Sequence, residues 1–208
     1  MVAPQGSRSA LVHLMVVVSY QLTVARAEMH LAPMDAYLHH FDGMGNLPVL
    51  DVRYGDAVVQ GQLFVNRKGR PKNKVLLQIP TVTWDPSSLP CGLLLFIDLD
   101  AGGYTAPGTS AGKYGPFVHA LWSHCKGGFN AGKSCNTRTK YLPPGHMGAV
   151  PNRYAFILFR HDCSATLKLP TEFRFSKDRL SLANLLSENP GLAPVAATFL
   201  RAGSSATE

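Results

Sequence analysis

The chain reads as a mainly β protein, an antiparallel β-sandwich with short helices towards its C-terminus. Three observations predict that class. Short runs that are apolar or alternate apolar with polar recur from residue 47 to residue 161, and alternation with period two is what a half-buried strand requires. Fifteen prolines and 19 glycines separate and punctuate those runs, as many turns would demand. Helical spacing is confined to the end of the chain. A length of 208 residues suits one domain with a sizeable core.

The first 27 residues stand apart from the fold. Arg8 precedes the largely apolar ALVHLMVVVSYQLTV, and Ala25 and Ala27 place small residues before Glu28. That is the pattern of a secretory signal peptide cleaved after Ala27. His13, Ser19 and Gln21 interrupt the apolar run, which falls short of the roughly 20 residues of a membrane span. Two arginines are few for a mitochondrial presequence. The expectation is a secreted protein whose mature chain is soluble. Residues 28–46 form an N-terminal segment of mixed character that includes His39 and His40. The domain itself spans 47–203, and a disordered tail is expected over 204–208.

Within the domain, LPVLDVRY alternates, and AVVQGQLFV alternates around Gly61. KVLLQIPTVTW is apolar and β-branched and ends at the turn DPSS. GLLLFIDLD, PFVHALWSH and NRYAFILFRHD complete the set of strands. The aromatic residues Trp84, Phe96, Trp122, Phe156 and Phe159 fall on these strands and are read as core packing rather than a ligand stack. SKDRLSLANLLSEN sets Leu180, Ala183 and Leu186 at helical intervals, with Ser176 as cap and Pro190–Gly191 as stop. LAPVAATFLRA reads as a second short helix.

The formal charge of +7 falls by two when Arg8 and Arg26 leave with the leader, and the remaining chain is still basic. Such a charge favours encounters with acidic surfaces without choosing among them. Residues 66–74, NRKGRPKNK, concentrate five basic side chains around Gly69 and Pro71. They could meet an anionic membrane or glycan, but a solubilising turn that guards a sheet edge is the preferred reading. The four cysteines, Cys91, Cys125, Cys135 and Cys163, all follow the leader, and an even count in an exported chain indicates disulfides. No C-x-x-C or H-x-x-x-H spacing supports zinc, and residues alone leave all three pairings open.

Asp98 and Asp100 end a buried-strand pattern, and they share a face if strand geometry persists. Two like charges so placed need a cation or a proton between them, and His119, midway along another strand, is the natural candidate. The plainer alternative is a pair of turn-capping aspartates. A D-x-D can also hold a metal with a sugar nucleotide, but nothing else in the chain resembles such an enzyme. There is no H-E-x-x-H and no nucleophile set beside a base. The chain is read as a binding module, with no catalytic residue, metal or cofactor assigned.

LPVLDVRYGDAVVQGQLF, IPTVTWDPSSLPCGLLLFIDLDA, the histidine strand, YLPPGHMGAVPNRYAFILFRHD and GLAPVAATFLRA resemble, in order and spacing, the phosphatidylethanolamine-binding protein family over about residues 47–203. The resemblance implies a sandwich with a small surface pocket for an anionic head group such as phosphate or phosphoethanolamine. The family's two pocket aspartates fall on Asp98 and Asp100, its first pocket histidine on His119, its H-R-Y tyrosine on Tyr154, and its proline-rich rim on Pro143 and Pro144. Two departures matter. The family's D-P-D-A-P-S-R is DLDAGGY here, where Gly102 and Gly103 relax a loop that proline would fix. Its second pocket histidine is Asn152, which cannot become cationic, so a phosphate would lose a charge-assisted contact worth about 1.5–3 kcal/mol. His146 is a possible substitute but is more simply a loop residue.

The family topology brings the Asp98 and Asn152 strand ends together in antiparallel fashion. It therefore implies a Cys91–Cys163 bridge at the far ends and a Cys125–Cys135 bridge closing KGGFNAGKS. The function implied is a secreted, monomeric, non-enzymatic protein binding an anionic phospholipid head group or small anionic ligand, with no role in nucleic-acid binding. The alternative is a serine protease inhibitor or other protein-interaction module with a vestigial pocket, since relatives include kinase regulators and protease inhibitors. A third reading gives the work to the basic surface, on membranes or glycans.

Overall fold

The computed structural model describes residues 47–65, 73–101, 117–126, 129–130, 134–145, 151–169 and 182–203. The predicted leader, the N-terminal segment, most of the basic stretch at 66–74, the loop from Gly102, His146, the Ser176 cap and the tail all lie outside these residues.

In chain order the strands are β1 (Asp51–Tyr54), β2 (Ala57–Val58), β3 (Leu63–Val65), β4 (Thr81–Thr83), β5 (Gly92–Asp98), β6 (Phe117–Cys125), β7 (Phe129–Asn130), β8 (Asn136–Thr139), β9 (Asn152–Arg160) and β10 (Ala193–Gly203). A 3-10 turn covers Val75–Leu77, and one helix, α1, covers Leu182–Glu188. Two sheets result, with orders β2-β1-β4-β7 and β3-β10-β9-β5-β6-β8.

β5 explains why the sequence there is apolar without alternation. Leu94 and Phe96 face the first sheet and join Val52, Tyr54 and Val82 in one core. Leu93, Leu95 and Ile97 face the other way and join Ile157, Phe159, Leu185 and Leu192 in a second. The larger sheet is thus covered on both faces, by the smaller sheet and by the segment that contains α1. A strand between two cores needs no polar face, and each fully buried leucine or phenylalanine contributes about 1.5–3 kcal/mol.

Three expectations are corrected. LAPVAATFLRA is not a helix but β10, an eleven-residue strand lying between β9 and β3. Its Leu200 and Ala202 enter the first core and its Ala197 the second, and a short apolar run buried on both faces has no periodicity to separate helix from strand. A bulge between Pro194 and Ala196 accommodates the proline. Second, the sandwich is not wholly antiparallel, because β3 pairs with β10 in parallel. Third, AVVQGQLFV is not one strand: it turns at Gly61, whose φ of +67° suits glycine, so that β2 stays in the small sheet while β3 crosses to the large one.

The disulfides join Cys91 to Cys163 and Cys125 to Cys135. The first ties the start of β5 to the turn after β9. The second spans the connection between β6 and β8.

Candidate functional site

β5 and β9 run antiparallel with Asp98 opposite Tyr154, and β6 lies on the other side of β5 with Phe117 opposite Asp98. Strand alternation then gathers Asp98, His119, Asn152 and Tyr154, all of them buried. The Asp98 carboxylate is held from two sides. Its Oδ1 accepts the Asp100 backbone N–H at 2.8 Å and its Oδ2 accepts Asn152 Nδ2–H at 2.9 Å.

His119 sits among rings, 5.1 Å from Phe117, 5.5 Å from Phe96 and 5.2 Å from Tyr154 between centroids. Its Nδ1–H donates to the Leu142 carbonyl at 2.8 Å, so a neutral ring carries its proton there and leaves Nε2 free. Nε2 is 3.9 Å from Asp98 Oδ2, too far for a direct hydrogen bond. Leu142 immediately precedes Pro143 and Pro144, which places the proline pair beside the site; Pro144 is buried and Pro143 half-buried.

Two buried polar atoms here, Tyr154 Oη and Asn152 Oδ1, make no hydrogen bond of full geometry among the described residues, on residues only 0% and 2% exposed; the Tyr154 hydroxyl feels the Asp98 carboxylate and the Gly145 backbone as weaker neighbours. Burial and the neighbouring Asp98 charge push the Tyr154 hydroxyl well above the usual phenol range, so it is an O–H donor, whereas Asn152 Oδ1 can only accept. An unsatisfied buried polar atom costs about 1–3 kcal/mol, so each such atom calls for a partner from water or a ligand.

Asp100 does not face His119. The strand ends at Asp98, the chain turns through Leu99, and the Asp100 carboxylate meets Arg153. Oδ1 accepts Arg153 Nη2–H at 2.6 Å, while Oδ2 accepts both the Nε–H and the backbone N–H at 2.8 Å. Arg153 was not singled out from sequence. Its position in N-R-Y, on the strand face opposite Asn152 and Tyr154, was the available signal. The repulsion expected between the two aspartates is thereby resolved by a buried fork rather than by His119.

Another signal lay in GGFNAGKS at 127–134, which matches the phosphate-loop pattern G-x-x-x-x-G-K-S. The fold does not give it that context. Phe129–Asn130 is a strand, Ser134 leads into β8 rather than a helix, and the Cys125–Cys135 bridge closes over the whole string. GTSAG at 108–112, a nucleophile-elbow pattern, lies outside the described residues. Among the described residues no group of three or more metal-ligating side chains converges.

No family model and no curated protein matches the sequence. Solved structures do resemble the fold. A carboxypeptidase Y inhibitor, crystallised with its cognate proteinase, superposes with a TM-score of 0.58 at 20% identity, over 83% of this chain and 95% of that one. The phosphatidylethanolamine-binding protein of Plasmodium falciparum gives 0.56 at 17%, over 76% and 87%, and that of Plasmodium vivax 0.56 at 16%, over 78% and 90%. The chain therefore has the phosphatidylethanolamine-binding protein fold, in a divergent form.

Proposed function

We propose that the chain is a secreted, monomeric, non-enzymatic binding protein whose site at Asp98, His119, Asn152 and Tyr154, rimmed by Pro143 and Pro144, takes a small phosphate-bearing head group. The observation that carries this is the pair of buried polar atoms without a full hydrogen bond, the Tyr154 hydroxyl, which can donate, and Asn152 Oδ1, which can only accept. A zwitterion such as phosphoethanolamine answers both. Its phosphate oxygens accept from Tyr154 Oη–H and from His119 Nε2 when protonated, and its ammonium donates to Asn152 Oδ1 and faces Asp98. The two disulfides fit an oxidising compartment, and among the described residues no helix is long and apolar enough to cross a membrane.

Calorimetric titration of residues 28–208 with phosphoethanolamine tests the reading. Saturable binding that Tyr154→Phe and His119→Ala each weaken by about tenfold, the loss of one charge-assisted hydrogen bond, is the expected result. Absence of binding at millimolar ligand overturns it. The second reading, protease inhibition, is favoured by the likeness to the carboxypeptidase Y inhibitor, 95% of which is matched. It predicts inhibition of a serine carboxypeptidase that Tyr154→Phe leaves unchanged.

A further inference from the structure

At the other end of β5 the structure holds an open cavity of about 620 Å³, lined by His124, Lys126, Ser134, Cys135, Asn136 and Cys163. It displays one cysteine from each disulfide. Cys163 lines the wall, whereas its partner Cys91 lies behind it, 2% exposed at the head of β5. The two sulfurs of this bond are therefore not equivalent: a molecule in the cavity reaches Cys163 and cannot reach Cys91.

His161 completes the arrangement. Its Nδ1–H donates to the Asp162 carbonyl at 2.7 Å, and its Nε2 stands 3.3 Å from Cys91 Sγ. Burial holds this imidazole below its ordinary pKa against the Asp162 and Gly92 backbone groups beside the ring, so the neutral ring carries its proton on Nδ1 and turns Nε2 towards sulfur. A disulfide sulfur has no hydrogen to offer that atom, whereas a Cys91 thiol would. The His124 ring packs edge-on against His161 at 4.9 Å, held by a backbone φ of +53° that few residues other than glycine adopt. Lys126 puts a cation on the cavity wall, and Asn136 adds an amide. The carboxylate of Asp162, next to His161 in the chain, is occupied in capping the Ser164 N–H and O–H, both at 2.8 Å.

We propose that Cys163 is a thiol–disulfide exchange site for a small thiol that carries carboxylates. The thiolate attacks Cys163 Sγ and forms a mixed disulfide. The Cys163–Cys91 bond breaks, its electron pair leaves on Cys91, and that sulfur takes up the proton the incoming thiol released. The new S–H donates to His161 Nε2. Exchange rates depend on how well the leaving thiolate is received and on which sulfur can be approached; the cavity offers Cys135 as well as Cys163, and it is the reception of the leaving sulfur by His161 that favours the Cys91–Cys163 bond. The contact of an imidazole nitrogen with a disulfide sulfur is seen at Cys91. The cavity volume falls in the range of small-molecule sites, and Lys126 selects for negative charge.

Reduced glutathione is the probe. The folded protein is incubated with it, free thiols are alkylated, and peptides are mapped without reduction. The expected product carries glutathione on Cys163 and the alkyl label on Cys91, with Cys125–Cys135 intact. Lys126→Glu should slow the reaction with glutathione about fivefold by losing electrostatic attraction, while leaving the rate with uncharged β-mercaptoethanol unchanged. His161→Phe should slow both thiols about tenfold by stranding the leaving sulfur. Glutathione appearing first on Cys91 or Cys135, modification only after denaturation, or equal slowing of both thiols by Lys126→Glu would overturn the assignment. Should His161→Phe fail to fold, the site of the adduct in the unaltered protein and the Lys126→Glu comparison still decide.

Discussion

The two ends of β5 share one strand and the same neighbours, β6 and β9, yet they are built on opposite principles. At the Gly92 end the chain is fixed covalently by Cys91–Cys163 and packed closely; a Cβ on Gly92 would lie 2.9 Å from a Leu158 methyl. At the Asp98 end nothing is covalent. Four buried polar side chains from three strands lie together, with one hydrogen bond among them, from Asn152 to Asp98, and two of their atoms make no full hydrogen bond. Unsatisfied groups destabilise, so they persist only where the surrounding structure over-determines them. The contrast teaches that the stability of the large sheet is concentrated away from the polar site, which leaves that site able to keep atoms in reserve for a ligand.

The comparison breaks most severely at the Asp98 end if Arg153 is removed. Arg153→Ala leaves the Asp100 carboxylate buried without its cation, and urea unfolding should show a loss of about 3–5 kcal/mol. Adding Asp100→Leu should recover most of it, and a loss below about 1 kcal/mol would mean the fork behaves as an exposed pair. Next comes the covalent end. The bond separated by 72 residues closes a much longer loop than the one separated by 10. Replacing Cys91 and Cys163 by alanine should therefore cost about 4 kcal/mol, against about 3 kcal/mol for Cys125 and Cys135, if chain entropy dominates. Equal costs would point to native-state contacts instead.

A smaller effect of opposite sign sharpens the contrast. Tyr154→Phe deletes a buried hydroxyl that makes no full hydrogen bond, so stability should hold or rise, by up to about 1 kcal/mol, while binding of phosphoethanolamine falls. A clear loss of stability would show that the hydroxyl already has a partner in the free protein. The smallest effect is that of pH at His161. Its folded pKa is depressed by burial, so below the unfolded value of about 6.5 the unfolded chain binds the proton that the folded chain refuses. Stability should therefore fall as pH drops through that window. His161→Phe should flatten the dependence, and an unchanged profile would shift responsibility to other groups.

Much of this was legible in the sequence because burial and period leave direct marks. GLLLFID reads as a buried strand because both its faces are covered; the grouping of Asp98, His119, Asn152 and Tyr154 was legible only through the family resemblance, which supplied the strand order that parity alone lacks. What escaped did so for physical reasons. β10 could not be told from a helix, since a segment between two cores has no polar face to report its period. β7 is only two residues long and β8 is polar throughout, so neither apolar run nor alternation announces them. The Asp100–Arg153 fork depends on where a strand stops, and a one-residue change in that limit moves a carboxylate to the other face.

The place of β10 has a bearing on biosynthesis. Residues 193–203 are the last described strand, yet they occupy an interior position of the large sheet, paired with β9 on one side and β3 on the other. During translation β3 and β9 emerge long before the strand that must come between them, and each would meanwhile expose a pairing edge to solvent and to other chains. The nascent polypeptide cannot close its sheet until residue 203 has cleared the ribosome, and the interval before that is when a chaperone would be of most use.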